Sequence, residues 1–239
     1  MCLGRHGSPA PPFPLGPPPS RGKGATRPEP RPPTVPPRSQ DIVYAPGYVS
    51  EQEERALMHD LACSRSWVAV RGRRLQRVGG EVTERGLVPA PLPSWARALC
   101  DRVARDTGVF GGRAPNHVLV NEYEPGQGIM PHQDGPAYHP AVCILSLGAP
   151  AVLRFSPKGE GAPVSVVLEP RSLVVFRGRA YGEMLHGIDF VESETVDAST
   201  ANARQCGLAP GATFARGGTR LSLTVRLVPR VLRALRLDK

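Results

Sequence analysis

A histidine and an aspartate stand two residues apart in the segment His132-Gln133-Asp134. In an extended segment the side chains of residues i and i+2 point to the same side, so an imidazole and a carboxylate can grip one ion. A second histidine from a distant strand would complete a set of two histidines and one carboxylate. Such a set suits ferrous iron, because three coordination positions stay open for a cosubstrate and O2. Zinc accepts the same ligands and stays an alternative.

Two histidines, His139 and His186, are candidates for the third ligand. His139 follows Asp134 on what reads as the same loop, where it would crowd the site. His186 lies in the apolar run Met184–Ile188, from which a strand could carry it into a barrel. A lone histidine in an apolar strand can also be a core residue with its hydrogen bonds satisfied, so both interpretations of His186 stay open at this point.

The segment Arg220–Arg226 alternates between polar and apolar residues. A strand over this segment would present one apolar face and one polar face. On an edge strand the polar face would point to water. Inside a jelly roll that carries an iron site, the same face would bind carboxylates, because arginine recognises them through two parallel hydrogen bonds. The polar positions are Arg220, Ser222, Thr224 and Arg226.

Asn121 and Tyr123 form a second pair at a spacing of two residues. On a strand over 117–123 the amide and the phenol project together, and they suit the two ends of a small diacid. That diacid would be 2-oxoglutarate, whose keto-acid end chelates Fe(II) while its distal carboxylate meets arginine. We therefore expect Fe(II), 2-oxoglutarate and O2 to meet at this site.

The periodicity of the sequence predicts the elements that position these residues. A capping box at Ser50–Glu53 predicts a helix near 50–63, and an apolar stripe predicts a second helix over 94–107. From residue 116 onward the period becomes that of strands, in short β-branched runs that turn residues mostly separate. The predicted strands are 117–123, 141–147, 151–155, 164–168, 172–176, 184–190 and 219–227.

Several short strands without intervening helices predict a mainly β fold with flanking helices (α+β). Its core would be a double-stranded β-helix, or jelly roll, over about 116–228, preceded by an N-terminal helical and lid region. Residues 192–218 are rich in alanine, glycine, serine and threonine and show no periodicity. We expect a long mobile insertion there, between the last two strands.

The excess of positive charge, +9 at pH 7, is unevenly distributed. Residues 1–40 hold 13 of the 28 prolines, six basic residues and one acid. Because this segment offers almost no apolar surface, we expect a disordered Pro/Arg-rich tail that can bind other proteins, followed by a folded domain over 41–239. No apolar run approaches the roughly 18 residues of a membrane-spanning helix, so no membrane partner is predicted.

The five cysteines are odd in number and widely spaced, with no C-x-x-C pair. This pattern argues against a disulfide framework and for a reducing compartment, so we expect a protein of the cytoplasm and nucleus. The tail is rich in arginine and poor in acids, as organelle transit peptides are, and organelle targeting is the alternative. We also expect a monomer.

Taken in order, these motifs resemble the AlkB family of Fe(II)/2-oxoglutarate-dependent dioxygenases, and the similarity covers about residues 41–239. The resemblance implies a jelly-roll fold and the oxidation of N-alkylated RNA or DNA, presented as a single strand or with the base flipped out. Hydroxylation of an N-methyl carbon would give a hemiaminal that loses formaldehyde, which amounts to demethylation. The matching residues are Asn121 and Tyr123 (N-x-Y), His132 and Asp134 (H-x-D), His186 as the distal histidine, and Arg220 with Arg226 (R-x-x-x-x-x-R).

Carried over residue by residue, the resemblance implies that His132, Asp134 and His186 ligate the iron. It also implies that several residues of two strands contact 2-oxoglutarate. These contacts are Arg220 supported by Tyr123 at the distal carboxylate, Asn121 and Arg226 nearer the keto-acid end, and Ser222, where the family often has asparagine.

Members of the family carry a nucleotide-recognition lid N-terminal to the barrel, and the matching region here is about 66–90. Its arginine cluster would grip phosphates, and a solvated loop without substrate contacts is the alternative. Aromatic side chains for base stacking are scarce. The expected substrate contacts are Trp67, Arg71, Arg73, Arg74, Arg77 and Tyr138, with Tyr181 as a further aromatic candidate.

Two other functions stay open. The chain could be a nucleic-acid-binding protein that keeps the cosubstrate pocket without turnover, or it could be a dioxygenase that acts on protein side chains. The presence of all three ligands and both arginines favours turnover, because a degenerate site would be expected to have lost one of them.

Overall fold

The structure, a computed structural model, describes residues 41–232. The predicted tail at 1–40 and the last seven residues lie outside this range. In chain order the elements are β1 (Ile42–Ala45), α1 (Glu51–Ala62), β2 (Val68–Val70), β3 (Arg73–Val78), β4 (Gly80–Thr83), β5 (Gly86–Pro89), α2 (Ser94–Thr107), β6 (His117–Tyr123), β7 (Ile129–His132), β8 (Ala141–Gly148), β9 (Ala151–Pro157), β10 (Val164–Leu168), β11 (Leu173–Arg177), α3 (Gly178–Gly182), β12 (Met184–Ile188), β13 (Ser193–Thr195), β14 (Thr213–Ala215) and β15 (Arg220–Arg226).

Two antiparallel sheets form the jelly roll. The larger sheet has seven strands in the order β1-β11-β8-β15-β6-β3-β2, and the smaller has four in the order β10-β9-β12-β7. Apolar side chains from both sheets, among them Phe155 and Phe176, pack in one cluster between them. The predicted mainly β fold with flanking helices is confirmed, and the bounds of the seven predicted strands agree to within two residues.

The two predicted helices cover the outer face of the larger sheet. The capping box forms as expected at the start of α1, where the Ser50 hydroxyl accepts from the Glu53 amide and the Glu53 carboxylate accepts from the Ser50 amide. Gly108 ends α2 at a positive φ of 65°, which glycine adopts without steric cost. Apolar residues of both helices pack on the outward side chains of β6, β8 and β15. Because these helices cover one face and the smaller sheet covers the other, every residue of β15 is buried.

The segment at 192–218, for which a mobile insertion was predicted, contains two short strands and packs on the smaller sheet. Its strands β13 and β14 pair with each other, and Val196 packs on Val152 and Val167 of the smaller sheet. Glu194 and Arg216 form a buried ion pair with a separation of 2.5 Å. The composition gives no periodicity because the contacts that order the segment join residues far apart in sequence.

The predicted lid at 66–90 is largely part of the sheets. Strand β3 pairs with β6 and continues the larger sheet outward to β2, while β4 and β5 form a hairpin of their own. Of the helices described by residues 41–232, none has the length and apolar character needed to cross a membrane.

Candidate metal centre and cosubstrate pocket

A cavity of about 210 Å³ lies between the two sheets. Strands β6 and β15 of the larger sheet supply most of its polar side chains, and β7 and β12 of the smaller sheet supply two histidines. The lining residues are Arg73, Leu119, Asn121, Tyr123, Ile129, His132, Asp134, Ile144, Leu153, Leu168, His186, Ile188, Arg220, Ser222, Thr224 and Arg226.

Three side chains in this cavity are placed to share one ion. His132 ends β7, Asp134 follows two residues later, and the pairing of β12 with β7 sets His186 directly opposite His132. The ligand atoms of the three residues all lie within 4.8 Å of one another. Within residues 41–232 no other group of three such residues meets this condition. The structure therefore favours His186 over His139, whose ring nitrogen instead lies 2.9 Å from the Val109 carbonyl.

The hydrogen bonds at this cluster leave donor atoms free for a cation. His132 Nδ1 lies 2.9 Å from the Met130 carbonyl, which can only accept, so Nδ1 carries the proton and Nε2 keeps its lone pair. One Asp134 oxygen accepts from Arg226 at 2.9 Å, and the other is buried without a partner. An unpartnered buried carboxylate oxygen beside two imidazoles fits a divalent cation.

His186 is buried against the rings of Phe155 and Phe176. Burial, followed by the charges of His132 and Arg226, lowers the pKa of His186 to about 3. The imidazole is therefore neutral at physiological pH, which is the form that binds a metal.

Gln133 lies between two of the ligands and fastens their segment to α3. Its side-chain amide donates to the carbonyls of Tyr181 and Gly182, each at 2.8 Å, and its oxygen accepts from Lys158. With all of its strong hydrogen-bonding positions engaged, Gln133 holds the direction in which His132 and Asp134 point.

Arg220 supplies a buried cation that lacks an anion. Its side chain is 2% exposed and donates from Nη2 to the Ser146 hydroxyl at 2.9 Å, while Nε and Nη1 have no partner. Burial lowers the pKa of Arg220 to about 10, so it stays charged at neutral pH. Its guanidinium carbon lies 5.6 Å from the centre of the Tyr123 ring. A charged guanidinium with two buried, unpaired donors is suited to bind a carboxylate.

The other residues expected to contact the cosubstrate share the same face. Ser222 pairs with Asn121 in the sheet register, so their side chains are neighbours on the cavity wall. Asn121 accepts from Arg73 Nε at 2.8 Å. Arg226 lies at the metal end, where it holds Asp134.

The expected substrate contacts divide between the two faces of the sheet. Trp67 and Arg74 stack on each other at 4.6 Å on the outer face, where Trp67 packs with the helices and Arg74 pairs with Glu122 at 2.8 Å. Neither residue lines the cavity, and the expectation that they contact substrate stays a prediction. The arginine cluster reads as a loop in the sequence, whereas Arg73, Arg74 and Arg77 belong to the strand β3, whose successive residues point to opposite faces.

The remaining candidates lie on or near the cavity side. Arg73 lines the cavity, and Arg77 pairs with Glu81 at 3.7 Å. Tyr138 packs over the Arg226 guanidinium at 4.7 Å, and the Tyr181 hydroxyl donates to the Gly135 carbonyl at 3.3 Å. Arg71 is exposed at the turn before β3 and has no ion pair within residues 41–232.

Sequence reasoning missed several cavity residues. Ile129 and Ile188 form the apolar wall next to the metal ligands. The run Ile129–His132 contains Pro131, which hides the strand in a propensity pattern. Its position directly before the H-x-D segment was the available signal.

A two-sheet jelly roll that encloses a His-x-Asp and distal-His cluster is the arrangement of the Fe(II)/2-oxoglutarate oxygenases. Residues 44–226 match the family model of the 2OG-Fe(II) oxygenase superfamily. A solved oxidoreductase of the 2OG-Fe(II) oxygenase family from Burkholderia pseudomallei has a TM-score of 0.55 at 15% identity, over 82% of this chain and 90% of that one, and thereby supports the fold.

Relatives in sequence assign the chain to a narrower family within this superfamily. "Probable RNA/DNA demethylase ALKBH6" of Danio rerio is 36% identical over 81% of this chain and 88% of its own length. "tRNA (carboxymethyluridine(34)-5-O)-methyltransferase alkbh8" of Xenopus tropicalis is 29% identical over 82% of this chain, but over only 32% of its own length. The chain belongs to the 2OG-Fe(II) oxygenase superfamily and, within it, to the AlkB-like Fe(II)/2-oxoglutarate-dependent dioxygenases. Three segments of this chain, at 116–121, 128–132 and 228–233, resemble the sixth AlkB homologue of animals and plants. The similarity to the Danio rerio ALKBH6 protein supports this resemblance.

Proposed function

We propose that this dioxygenase oxidises N-alkylated bases of single-stranded or base-flipped nucleic acid, RNA or DNA, and thereby removes the alkyl group. The observation that carries the proposal is that one cavity is lined both by the His132, Asp134 and His186 cluster and by Arg220 with its two free donors. The names of the two relatives, an RNA/DNA demethylase and a tRNA methyltransferase, support a nucleic acid as the substrate.

His132 Nε2, the free oxygen of Asp134 and the neutral ring of His186 would hold Fe(II). When bound, Fe(II) and 2-oxoglutarate couple the oxidative decarboxylation of 2-oxoglutarate by O2 to hydroxylation of a substrate C–H bond. Arg220 would bind the distal carboxylate through Nε and Nη1, with Ser146 keeping the guanidinium in place through Nη2. The ion pair between Arg226 and Asp134 would fix the carboxylate that completes the metal site.

The apolar wall of Ile129 and Ile188 limits water beside the metal ligands, which suits a site that oxidises a C–H bond. A base within a duplex cannot reach a cavity between two sheets, so the substrate must be single-stranded or flipped. Arg73, which lines the cavity and bonds Asn121, would be a cation close to the substrate backbone.

The direct test is release of succinate and formaldehyde by the purified full chain with Fe(II), 2-oxoglutarate and single-stranded oligonucleotides that carry one N-methylated base. We expect His132→Ala to reduce turnover by more than about 100-fold, because even the loss of a residue that only hydrogen-bonds a metal ligand costs about 10- to 100-fold. His59→Ala, which removes an exposed histidine of α1, is the matched control and should turn over like the unmodified protein.

Turnover that survives His132→Ala would overturn the site assignment. Oligonucleotide binding without release of succinate from any methylated substrate would favour a binding protein. Stimulation of succinate release by peptides, but by no oligonucleotide, would favour the protein-side-chain alternative.

A further inference from the structure

Two exposed apolar side chains lie on the chain segments that carry cavity residues. Met130 is 68% exposed and Phe190 is 46% exposed. Met130 lies between the cavity residues Ile129 and His132 on β7, and Phe190 follows the cavity residue Ile188 by two positions. Large apolar groups exposed together beside a binding cavity mark a contact surface for a ligand or partner.

The ring of Phe190 packs against the turn that leads into β3. A Cβ atom added to Gly72 would lie 2.6 Å from Cε1 of Phe190 and 3.0 Å from the Gly128 carbonyl oxygen. Gly72 also has a φ of +76°, so both its backbone conformation and its contact with Phe190 disfavour a larger residue. The close approach sets Phe190 directly beside Arg71 and Arg73, which flank Gly72 in the chain.

The backbone that carries Phe190 is held firmly although its side chain is exposed. Arg216 donates to the carbonyl of Asp189 at 2.7 Å and to that of Gln127 at 2.6 Å, and its own amide donates to the Glu192 carbonyl. The Asp189 carboxylate pairs with Arg154 at 2.5 Å. An exposed aromatic ring on an anchored backbone loses little conformational freedom when a ligand stacks on it.

The arginines around the ring leave one unpaired positive charge that an anionic partner could meet. Arg74 and Arg77 are each paired with a glutamate, and Arg73 is bonded to Asn121. Arg71 is the arginine of this group that has neither an ion pair nor a side-chain hydrogen bond within residues 41–232. An aromatic face next to an unpaired guanidinium is the arrangement that binds a stacked base and its phosphate.

We propose that Phe190 is a stacking platform for the base adjacent to the one that enters the cavity, and that Arg71 binds the phosphate between these two nucleotides. The inference rests on the proposed function, because it names how a single-stranded nucleic acid is held at the same site.

The test measures binding of a fluorescent single-stranded oligonucleotide that carries one N-methylated base, by anisotropy, with Mn(II) and 2-oxoglutarate present. We expect Phe190→Ala to weaken binding about tenfold, since stacking of one base on an aromatic side chain has about that effect. Phe190→Trp should retain the affinity. Val88→Ala, which removes an equally exposed apolar side chain of β5 outside the cavity lining, is the matched control.

A second oligonucleotide separates stacking from any structural effect of the substitution. It carries an abasic site next to the methylated base, on the 5′ side in one version and on the 3′ side in another. One version should bind the unmodified protein about tenfold more weakly, while Phe190→Ala should lose nothing further. Arg71→Ala should reduce the slope of log K against log salt by about 0.7, the value for one phosphate of a single strand.

The outcomes separate the two proposals. If the unmodified protein binds no oligonucleotide, the proposed function fails and this inference fails with it. If the unmodified protein binds and Phe190→Ala binds equally well, the inference is wrong and the proposed function stands. Equal losses in Phe190→Ala for the intact and the abasic oligonucleotides would also overturn stacking, because the ring would then act on something other than the neighbouring base.

Discussion

The two faces of the seven-stranded sheet are built from the same strands but from different kinds of side chain. On β15, Leu221, Leu223 and Val225 point outward and pack with the helices. The inward residues of the same strand are polar or charged and equally buried. Burying polar groups destabilises a fold unless they find partners, whereas burying apolar ones stabilises it. The outer face therefore contributes most of the stabilising free energy. The inner face carries buried polar groups, which destabilise the fold but are available to bind ligands.

The largest expected effect lies on the outer face. Leu223 is fully buried in the cluster that joins β15 to the helices. We expect Leu223→Ala to lower the free energy of unfolding by about 2–5 kcal/mol, through lost burial and the cavity that remains. Urea denaturation gives the change. The KM for 2-oxoglutarate of the protein that stays folded should be unchanged, and a large rise in this KM would contradict the separation of the two faces.

The next effect concerns pH and a buried histidine of the inner face. His117 is 2% exposed, and neither ring nitrogen has a hydrogen-bond partner. Burial, with smaller contributions from the charges of Arg226 and Arg77, lowers the pKa of His117 from 6.5 to about 4. At pH values between 4 and 6.5, His117 is protonated in the unfolded chain but stays neutral in the folded protein. The stability contributed by the neutral ring is thus present above pH 6.5 and is lost as the pH falls towards 4, by about 3 kcal/mol.

His117→Phe keeps a ring of similar size and removes this titration. We expect the variant to lose about 3 kcal/mol less stability than the unmodified protein between pH 7 and pH 4, measured by urea denaturation at each pH. His186, whose pKa is also lowered, titrates in the same direction in both proteins, so the difference isolates His117. Parallel stability curves for the two proteins would show that His117 is not buried in its neutral form.

A smaller effect in free energy is expected for the cosubstrate. Arg220→Leu removes the unpaired donors Nε and Nη1. We expect the KM for 2-oxoglutarate to rise about 10- to 100-fold, since a hydrogen bond to a charged group contributes about 1.5–3 kcal/mol. Initial rates of succinate release give the value. Arg220→Lys keeps the charge without the planar guanidinium, so its KM for 2-oxoglutarate should lie between those of the unmodified protein and Arg220→Leu. An unchanged KM in Arg220→Leu would place the carboxylate elsewhere in the cavity.

The smallest expected effect compares the two faces of the sheet at neighbouring residues of one strand, β3. Arg73 and Arg74 are neighbours on β3 but point to opposite faces, Arg73 to the cavity and Arg74 to Glu122 on the outer face. We expect Arg74→Ala to change kcat/KM for the oligonucleotide less than about twofold, because exposed ion pairs contribute little. Arg73→Ala is the matched variant and should lower kcat/KM clearly more. Equal effects of the two substitutions would contradict the assignment of faces.

The sequence was sufficient where a pattern is local. The alternation of β15 predicted that Arg220 and Arg226 share a face, and the capping box at Ser50 predicted the start of α1. Both follow from the positions of side chains a few residues apart, which backbone geometry fixes.

The sequence was insufficient where long-range contacts decide. In β3 the two faces read Arg73, Leu75, Arg77 and Arg74, Gln76, Val78, with no contrast between apolar and polar that could tell which one meets the cavity. Strand β7 contains a proline and forms only because it lies at the edge of the smaller sheet, where a missing amide is tolerated.

The ion pair between Glu194 and Arg216 has a consequence for how this sequence can evolve. Both side chains are almost completely buried, and Arg216 also binds the backbone of Gln127 and Asp189. Loss of Glu194 would leave Arg216 as an uncompensated charge in the interior, at a cost of about 3–5 kcal/mol. Loss of Arg216 would leave Glu194 with Arg154 as its remaining cation, at 3.3 Å. Mutation at position 194 is therefore constrained by Arg216, and the stretch between the two positions is constrained as well, because Val196 packs on Val152 and Val167 and Asn202 bonds the backbone of Val167.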